Sequence, residues 1–272
     1  MPKFSVVIPA YNESLSLPPL LEELAEVMNR LDASYEIIVV DDGSEDDTLE
    51  LLDARRDAWP ELRVVQLDGN YGQSAALEAG FRAARGEILV TLDADGQNPP
   101  AEVPKLLEQI GPFDFVCGWR RNRRDPLRKR VASRMAYCVR WLMLHDKFHD
   151  SGCSLKVMRR QCVSNLTLFN GLHRFLPALV VLQGYQATEV EVDHRPRRAG
   201  QSRYGILNRI VGPLADLWSI RWMQRRYRPY RATERTKGVA AEDSVPHADG
   251  GGRSPDPRPH MSTRLGSHTF EP

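Results

Sequence analysis

Two carboxylates one residue apart, Asp93 and Asp95, stand at the end of a short apolar run, Ile88-Leu89-Val90-Thr91-Leu92. The run is brief, β-branched and bounded by Gly86-Glu87 and a Gly/Pro turn, which predicts a buried strand. In an open α/β sheet, ligands bind outside the carboxyl ends of the strands, so chemistry is expected at this point. Asp93 and Asp95 are expected on one side of an extended segment, and a turn at Gly96 lets Gln97 add an amide oxygen. Oxygen-only ligands of this kind suit Mg²⁺ or Mn²⁺, held by one or two carboxylates together with substrate phosphates. In isolation an Asp-x-Asp-Gly after a strand is also a plain polar turn. Its meaning depends on the other strand ends.

The elements that must position these carboxylates follow in order. Phe4–Ile8 predicts a strand leading into the loop Pro9–Glu13. A helix is expected from Leu15 to Leu31, capped by Ser14 or Ser16, with Leu17, Leu20, Leu21, Leu24 and Val27 on one face. Tyr35–Val40 is the second strand and ends in Asp41-Asp42-Gly43-Ser44. Ser44 or Asp46 is positioned to cap a helix from Thr48 to Trp59, and Arg63–Leu67 is the third strand. Gly69-Asn70-Tyr71-Gly72-Gln73 turns into an alanine-rich helix, and Pro100 opens another before a strand at Phe113–Gly118. Strand and helix alternate four times, which predicts a doubly wound, mostly parallel sheet.

Beyond Gly118 the character changes. Arginines and lysine crowd 119–134 and feed a helix through Leu144. Asp150–Cys153 reads as a turn, Ser154–Met158 as a short strand, Leu172–Leu182 as an apolar helix and Ala187–Val192 as a last strand. A second basic loop spans His194–Tyr204. Ile206, Leu207, Ile210, Val211, Leu214, Leu217 and Trp218 are expected on one helical face, followed by Arg221, Arg225, Arg226, Arg228 and Arg231. That is the pattern of an interfacial helix meeting anionic headgroups, and equally of a helix packed on the core. Residues 232–272 carry almost no apolar side chains and are expected to be disordered. The expected organisation is a catalytic domain over 1–204, an amphipathic basic helix over 205–231 and a tail over 232–272.

Composition narrows the classes. Lys and Arg number 37 against 36 Asp and Glu, so bulk charge names no partner. The four cysteines show no C-x-x-C spacing, which gives no zinc pattern and fits a reducing compartment. No signal peptide pattern opens the sequence and no stretch reaches the ~20 apolar residues of a membrane span. The arginine clusters lack a nucleic-acid motif and serial aromatics, so no nucleic acid is expected as a partner.

Three loops at carboxyl strand ends therefore converge. A nucleotide held there would find Tyr11 as a stacking face, Asp41 as an acceptor for base N–H groups, and a metal at Asp93 and Asp95 for its diphosphate. At Tyr11-Asn12-Glu13, Val40-Asp41-Asp42-Gly43-Ser44, Gly69-Asn70 with Gly72-Gln73, Asp93-Ala94-Asp95-Gly96-Gln97-Asn98-Pro99-Pro100 and Asp150-Ser151-Gly152, the chain resembles family 2 inverting glycosyltransferases of the GT-A fold. Within these it resembles the branch of dolichol-phosphate mannose synthase and bacterial polyprenyl-phosphate glycosyltransferases.

The resemblance covers roughly 1–204 and implies a nucleotide-sugar donor, GDP-mannose or a UDP-sugar, a divalent cation and a polyprenyl-phosphate acceptor. It implies that Pro9, Tyr11, Glu13, Val39, Asp41 and Asp42 hold the nucleoside, that Asp93 and Ala94 contact the donor, and that Asp95 and Gln97 bind the metal. It assigns Arg120, Lys129, Ser133, Arg197 and Arg203 to the reacting groups; Arg128 and Arg130 flank Lys129 as alternative grips on the acceptor phosphate. Transmembrane helices follow this region in many relatives, so peripheral docking or a separate membrane partner is expected, at the cytoplasmic membrane face.

The chemistry agrees with that acceptor. Transfer to an alcohol normally needs a base to take a proton. A phosphate monoester is already an anion near neutral pH and attacks without one, so the protein need only position it and neutralise charge. Transfer to a glycolipid or polysaccharide hydroxyl is the enzyme alternative, and a non-catalytic nucleotide-sugar binder is the alternative outside catalysis.

Overall fold

A computed structural model describes residues 1–121, 138–196 and 211–228 of the chain. Met1–Tyr227 form one unit; the second, Arg228–Pro272, lies outside the described residues except for Arg228. The tail expected over 232–272, Lys129, Ser133, Arg197 and Arg203 all lie outside the described residues.

Seven strands form a single sheet in the order β3-β2-β1-β4-β6-β5-β7. The strands are β1 (Phe4–Ala10), β2 (Tyr35–Asp41), β3 (Leu62–Gln66), β4 (Ile88–Thr91), β5 (Phe115–Trp119), β6 (Lys156–Arg159) and β7 (Ala187–Glu191). All pairings are parallel except those of β6, which runs antiparallel to both β4 and β5. The mostly parallel, doubly wound sheet expected from the alternating pattern is present.

Strands buried on both faces read as continuous apolar runs. Val6, Val7, Ile8, Ile37, Ile38, Val39, Leu89 and Val90 are all fully buried. Each such side chain contributes about 1.5–3 kcal/mol relative to exposure. Helix α3 (Gln73–Ala83) presses directly onto this sheet. A Cβ at Gly80 would lie 2.3 Å from Val7 Cγ1 and 3.1 Å from Val40 Cγ2, so glycine sets the distance between helix and strands.

Several boundaries differ from the sequence expectation. Helix α1 spans Leu17–Asn29, shorter at both ends than Leu15–Leu31, because Pro18 and Pro19 favour the first turn and Asp32 adopts a φ of 46°. Ser16 occupies the N-cap, but its hydroxyl turns back to Glu13 instead of capping. Helix α2 covers Thr48–Arg56. Asp46 accepts its first N–H, from Thr48, at 3.1 Å, whereas Ser44 is used elsewhere. Pro100 opens a 3-10 turn, and only Val103–Leu107 (α4) is α-helical. Pro177 likewise confines the α-helical part of the Leu172–Leu182 region to α5 (Leu176–Leu182), after a 3-10 turn at Leu172–Phe175.

The last helix, α6 (Val211–Arg226), corrects one expected face. Leu217 and Ile220 are buried, while Trp218 is 67% exposed and points away from them. The helix thus packs on the core with one side and shows tryptophan on the other. A helical stretch over 138–144 lies beside it, where Gln224 Nε2 donates to the Leu144 carbonyl at 3.3 Å.

Candidate active site

The strand order reverses at β1: β2 and β3 build outward on one side of it, and β4 is added on the other. The crevice beyond the carboxyl ends of β1 and β4 is thus the switch point, where open sheets bind ligands. Tyr11, Asp41 and Asp93 are brought to this end of the sheet by the registers Ala10↔Asp41 and Val7↔Thr91.

On the β1–β2 flank the loops are tied together by side-chain-to-backbone bonds. Asn12, with a φ of 55°, donates its N–H to Ser44 Oγ at 2.9 Å and accepts the N–H of Glu45 on Oδ1 at 2.7 Å. The Glu13 N–H donates to Thr48 Oγ1 at 2.9 Å. Asp41 is fully buried and accepts the Ser44 N–H at 3.3 Å. Val39 is fully buried as well, so its side chain belongs to the core. Pro9, Tyr11 and Glu13 are half-buried at the rim.

Asp42, expected at the nucleoside, has a structural use in the fold. Its two carboxylate oxygens accept the backbone N–H groups of Tyr71 and Gly72, each at 2.8 Å. Burial, and to a lesser degree the neighbouring Asp41 charge, raise its pKa even so. Asp42 therefore fixes the entry to α3, which in turn carries Gln73 toward β4.

At β4 the strand ends at Thr91, earlier than the extended segment expected. Asp95 lies in a turn, its Oδ1 accepting the Gln97 N–H at 3.0 Å, and Gly96 takes a φ of 69°. This Asx turn is what breaks the extended backbone. Asp93 is half-buried and accepts from Gln73 Nε2 at 2.6 Å; Asp95 and Ala94 are buried. Burial, then the charge of Asp95, push the Asp93 carboxyl up to about 6, against the pull of Ser154, Lys156 and Arg120.

A carboxylate whose pKa is raised by burial and by a neighbouring carboxylate charge, as that of Asp93 is, is a natural place for a divalent cation, which relieves both the desolvation and the repulsion. The donor set is oxygen-rich, as Mg²⁺ or Mn²⁺ prefers, and leaves positions for substrate phosphates. Among the described residues no group of three or more His, Cys, Asp or Glu could hold a metal alone. The Gln97 side chain, expected on the metal, donates its amide nitrogen to the Arg195 carbonyl at 3.5 Å.

The flank on the other side of β4 was less visible in sequence. A cavity of about 300 Å³ opens against Asp93, walled by Gln73 and Leu77 of α3, by Lys156 of β6 and by His173 and Arg174. Arg120, expected at the reacting groups, also lines it. Its guanidinium grips Asp150 in a fork, Nε to Oδ2 at 2.7 Å and Nη2 to Oδ1 at 3.0 Å. Lys156, His173 and Arg174 carry no motif of their own. The one signal for Lys156 is a lysine set among the apolar Leu155, Val157 and Met158.

Comparison with known proteins fixes the family. The model of glycosyl transferase family 2 matches residues 5–167.

The chain belongs to glycosyl transferase family 2.

As a family 2 member it is 37% identical, over 82% of its own length, to a dodecaprenyl-phosphate galacturonate synthase of Rhizobium johnstonii. It is 39% identical, over 78% of its length, to an undecaprenyl-phosphate 4-deoxy-4-formamido-L-arabinose transferase of Aeromonas hydrophila. The chain spans 68% and 66% of those two proteins. Among solved structures, glucosyl-3-phosphoglycerate synthase of Mycobacterium tuberculosis with Mn²⁺, UDP and phosphoglyceric acid superposes with a TM-score of 0.59 at 20% identity. That match covers 82% of this chain and 78% of the other, and shows the shared GT-A fold. Among the described residues no helix is long and apolar enough to cross a membrane.

Proposed function

We propose that this glycosyltransferase moves a sugar, with inversion, from a nucleoside diphosphate to a polyprenyl phosphate. The observation that carries the reading is the Asp93/Asp95 pair at the switch point, with buried cations just beyond it. The relatives named for dodecaprenyl- and undecaprenyl-phosphate products support the acceptor class. Tyr11 and the Asp41 loop would receive the nucleoside, of guanine or uracil type, and Asp93, Asp95 and Gln97 would hold the cation. Bound there, Mg²⁺ or Mn²⁺ would supply positive charge to the departing diphosphate.

In the step itself, a phosphate oxygen of the acceptor bonds to the anomeric carbon as the carbon–oxygen bond to the diphosphate breaks. The electron pair leaves on the diphosphate and no proton needs to be removed. Among the cavity-lining groups, burial, then the charges of Arg174 and Lys156, push His173 down to about 3. It is a poor base for an alcohol at neutral pH, which favours an acceptor that arrives as an anion. Arg120, held in position by Asp150, supplies fixed positive charge beside Asp93. Lys129, Ser133, Arg197 and Arg203 complete the acceptor grip on this reading.

The lipid acceptor calls for a membrane surface. The outward side of α6 shows Trp218 and Trp222, 67% and 52% exposed, with Arg226 over the Trp222 ring at 5.6 Å. Trp141 and Leu142 of the adjoining 138–144 stretch are also exposed. Exposed tryptophans edged by arginine suit the headgroup region of an anionic bilayer, and we assign peripheral membrane docking to this side.

The test is transfer by the purified protein from UDP- and GDP-sugars, with Mg²⁺ or Mn²⁺, with and without a short polyprenyl phosphate. Metal-dependent transfer only to the lipid phosphate is the expected result. Transfer confined to a hydroxyl acceptor would overturn the acceptor assignment while keeping the donor site.

A further inference from the structure

Lys156 is 4% exposed on β6, inside the sheet, opposite Thr91 on one side and Cys117 on the other. Its ammonium donates to the carbonyl of Cys153, and among the described residues it has no carboxylate within ion-pairing distance. Lysine is almost never fully buried without a partner, because removing the charge from water costs several kcal/mol. Arg120 on the same cavity wall obeys that rule through Asp150. Lys156 has no such contact among the described residues, only the longer-range charge of Asp93, whose cavity it faces. Arg174, on the cavity wall too, has no ion pair among the described residues.

His173 adds to the pattern. Ser74 Oγ lies 2.8 Å from its Nδ1 and also accepts its backbone N–H at 3.4 Å, so the ring is fixed in place. The cavity, about 300 Å³, is at the small end for ligand sites. That is room for a sugar ring or a phosphate headgroup, but not for a nucleotide or an isoprenoid chain.

We propose that this cavity is an oxyanion subsite of the transfer centre, in which Lys156 and Arg174 hold carboxylate or phosphate oxygens that one substrate brings beside Asp93. Two substrates could bring them: a donor whose sugar is a uronic acid, or the phosphate of the acceptor. The proposal rests on the transferase reading and adds to it a charged group at a defined place. It predicts that neutral sugars on a neutral acceptor would leave Lys156 without its counter-ion.

The experiment compares the full chain with Lys156→Met and Arg174→Gln. KM for donor and for acceptor are measured separately, and so is inhibition by inorganic phosphate, by free galacturonate and by free galactose. A charge-assisted hydrogen bond is worth about 1.5–3 kcal/mol, so Lys156→Met should raise one of the two KM values about tenfold or more. The other KM should stay within about twofold, and the matching anion should lose its inhibition by a similar factor. A rise confined to the donor, with galacturonate inhibiting and galactose not, names the sugar carboxylate. A rise confined to the polyprenyl phosphate, with phosphate inhibiting, names the acceptor. Unchanged KM values, or equal rises in both with a lowered melting temperature, overturn the subsite and leave Lys156 structural. If no lipid phosphate is glycosylated at all, the transferase reading fails by itself. The subsite is then judged by whether phosphate or galacturonate raises the melting temperature of the wild type but not of Lys156→Met; no rise in the wild type overturns it.

Discussion

The two flanks of the β1–β4 crevice use their polar groups in opposite ways. On the β1–β2 side, Asn12, Ser44, Asp42 and Thr48 spend their hydrogen bonds on backbone amides, so the loops are built before any ligand arrives. On the β4–β6 side, charge is concentrated beside Asp93, and among the described residues the Lys156 ammonium meets a backbone carbonyl and no carboxylate within ion-pairing distance. Preorganised loops suit a ligand part that never changes, such as a nucleoside. Unbalanced charge suits groups whose own charge moves during reaction.

Substitutions can sharpen or break this contrast. The largest effect is expected at Asp95: Asp95→Ala should abolish transfer and metal-dependent donor binding, measured by turnover and by calorimetry with and without Mn²⁺. An active variant would remove the cation from this end of β4. Next, Asp150→Ala strands the Arg120 guanidinium, 11% exposed on its side chain, and should cost about 3–5 kcal/mol in denaturant unfolding. A cost near zero would mean that Arg120 finds other company and that the charged flank does not depend on Asp150.

On the preorganised flank, Asp42→Ala leaves two amides without acceptors. It should cost about 1–3 kcal/mol and raise the donor KM more than it lowers kcat. A fall in kcat alone would put Asp42 at the reacting groups instead. Gly80→Ala, which drives a methyl into Val7, should cost about 1–3 kcal/mol wherever the ligand binds.

A last effect concerns acid and vanishes at neutral pH. His173, facing Ser74, Arg174 and Lys156, has its pKa depressed from 6.5 to about 3. The unfolded chain therefore takes a proton that the folded chain refuses. The resulting stability is complete above pH 6.5 and is lost as the pH falls toward about 3. His173→Asn should flatten the decline of melting temperature across that window; an unchanged decline would place its cause elsewhere.

Much of the β1–β2 flank and of the turn after β4 was legible because its signals are local. Strand ends, Asp-x-Asp and the Gly72-Gln73 turn are each written within a few residues. What escaped was pairing at a distance. Nothing in Asp41-Asp42-Gly43 announces that Asp42 accepts from the amides of Tyr71 and Gly72. Lys156, His173 and Arg174 meet Asp93 only through the sheet order and the turn before α5. The α6 face went astray for a simpler reason: helical periodicity groups Leu217 with Trp218, and only the packing of α5 and the 138–144 stretch decides which is covered.

The reversed strand has a consequence for how the chain is made. β6 is inserted between β4 and β5, yet it is synthesised after both. Until it emerges, β4 and β5 each present an open edge, and the apolar rows of Leu89, Val90 and Val116 have no neighbour across the gap. Unpaired edges of this kind recruit other strands. A nascent chain halted before Lys156 should thus be the species most prone to aggregate and most in need of a chaperone, although it already carries the whole of the Asp93–Asp95 turn.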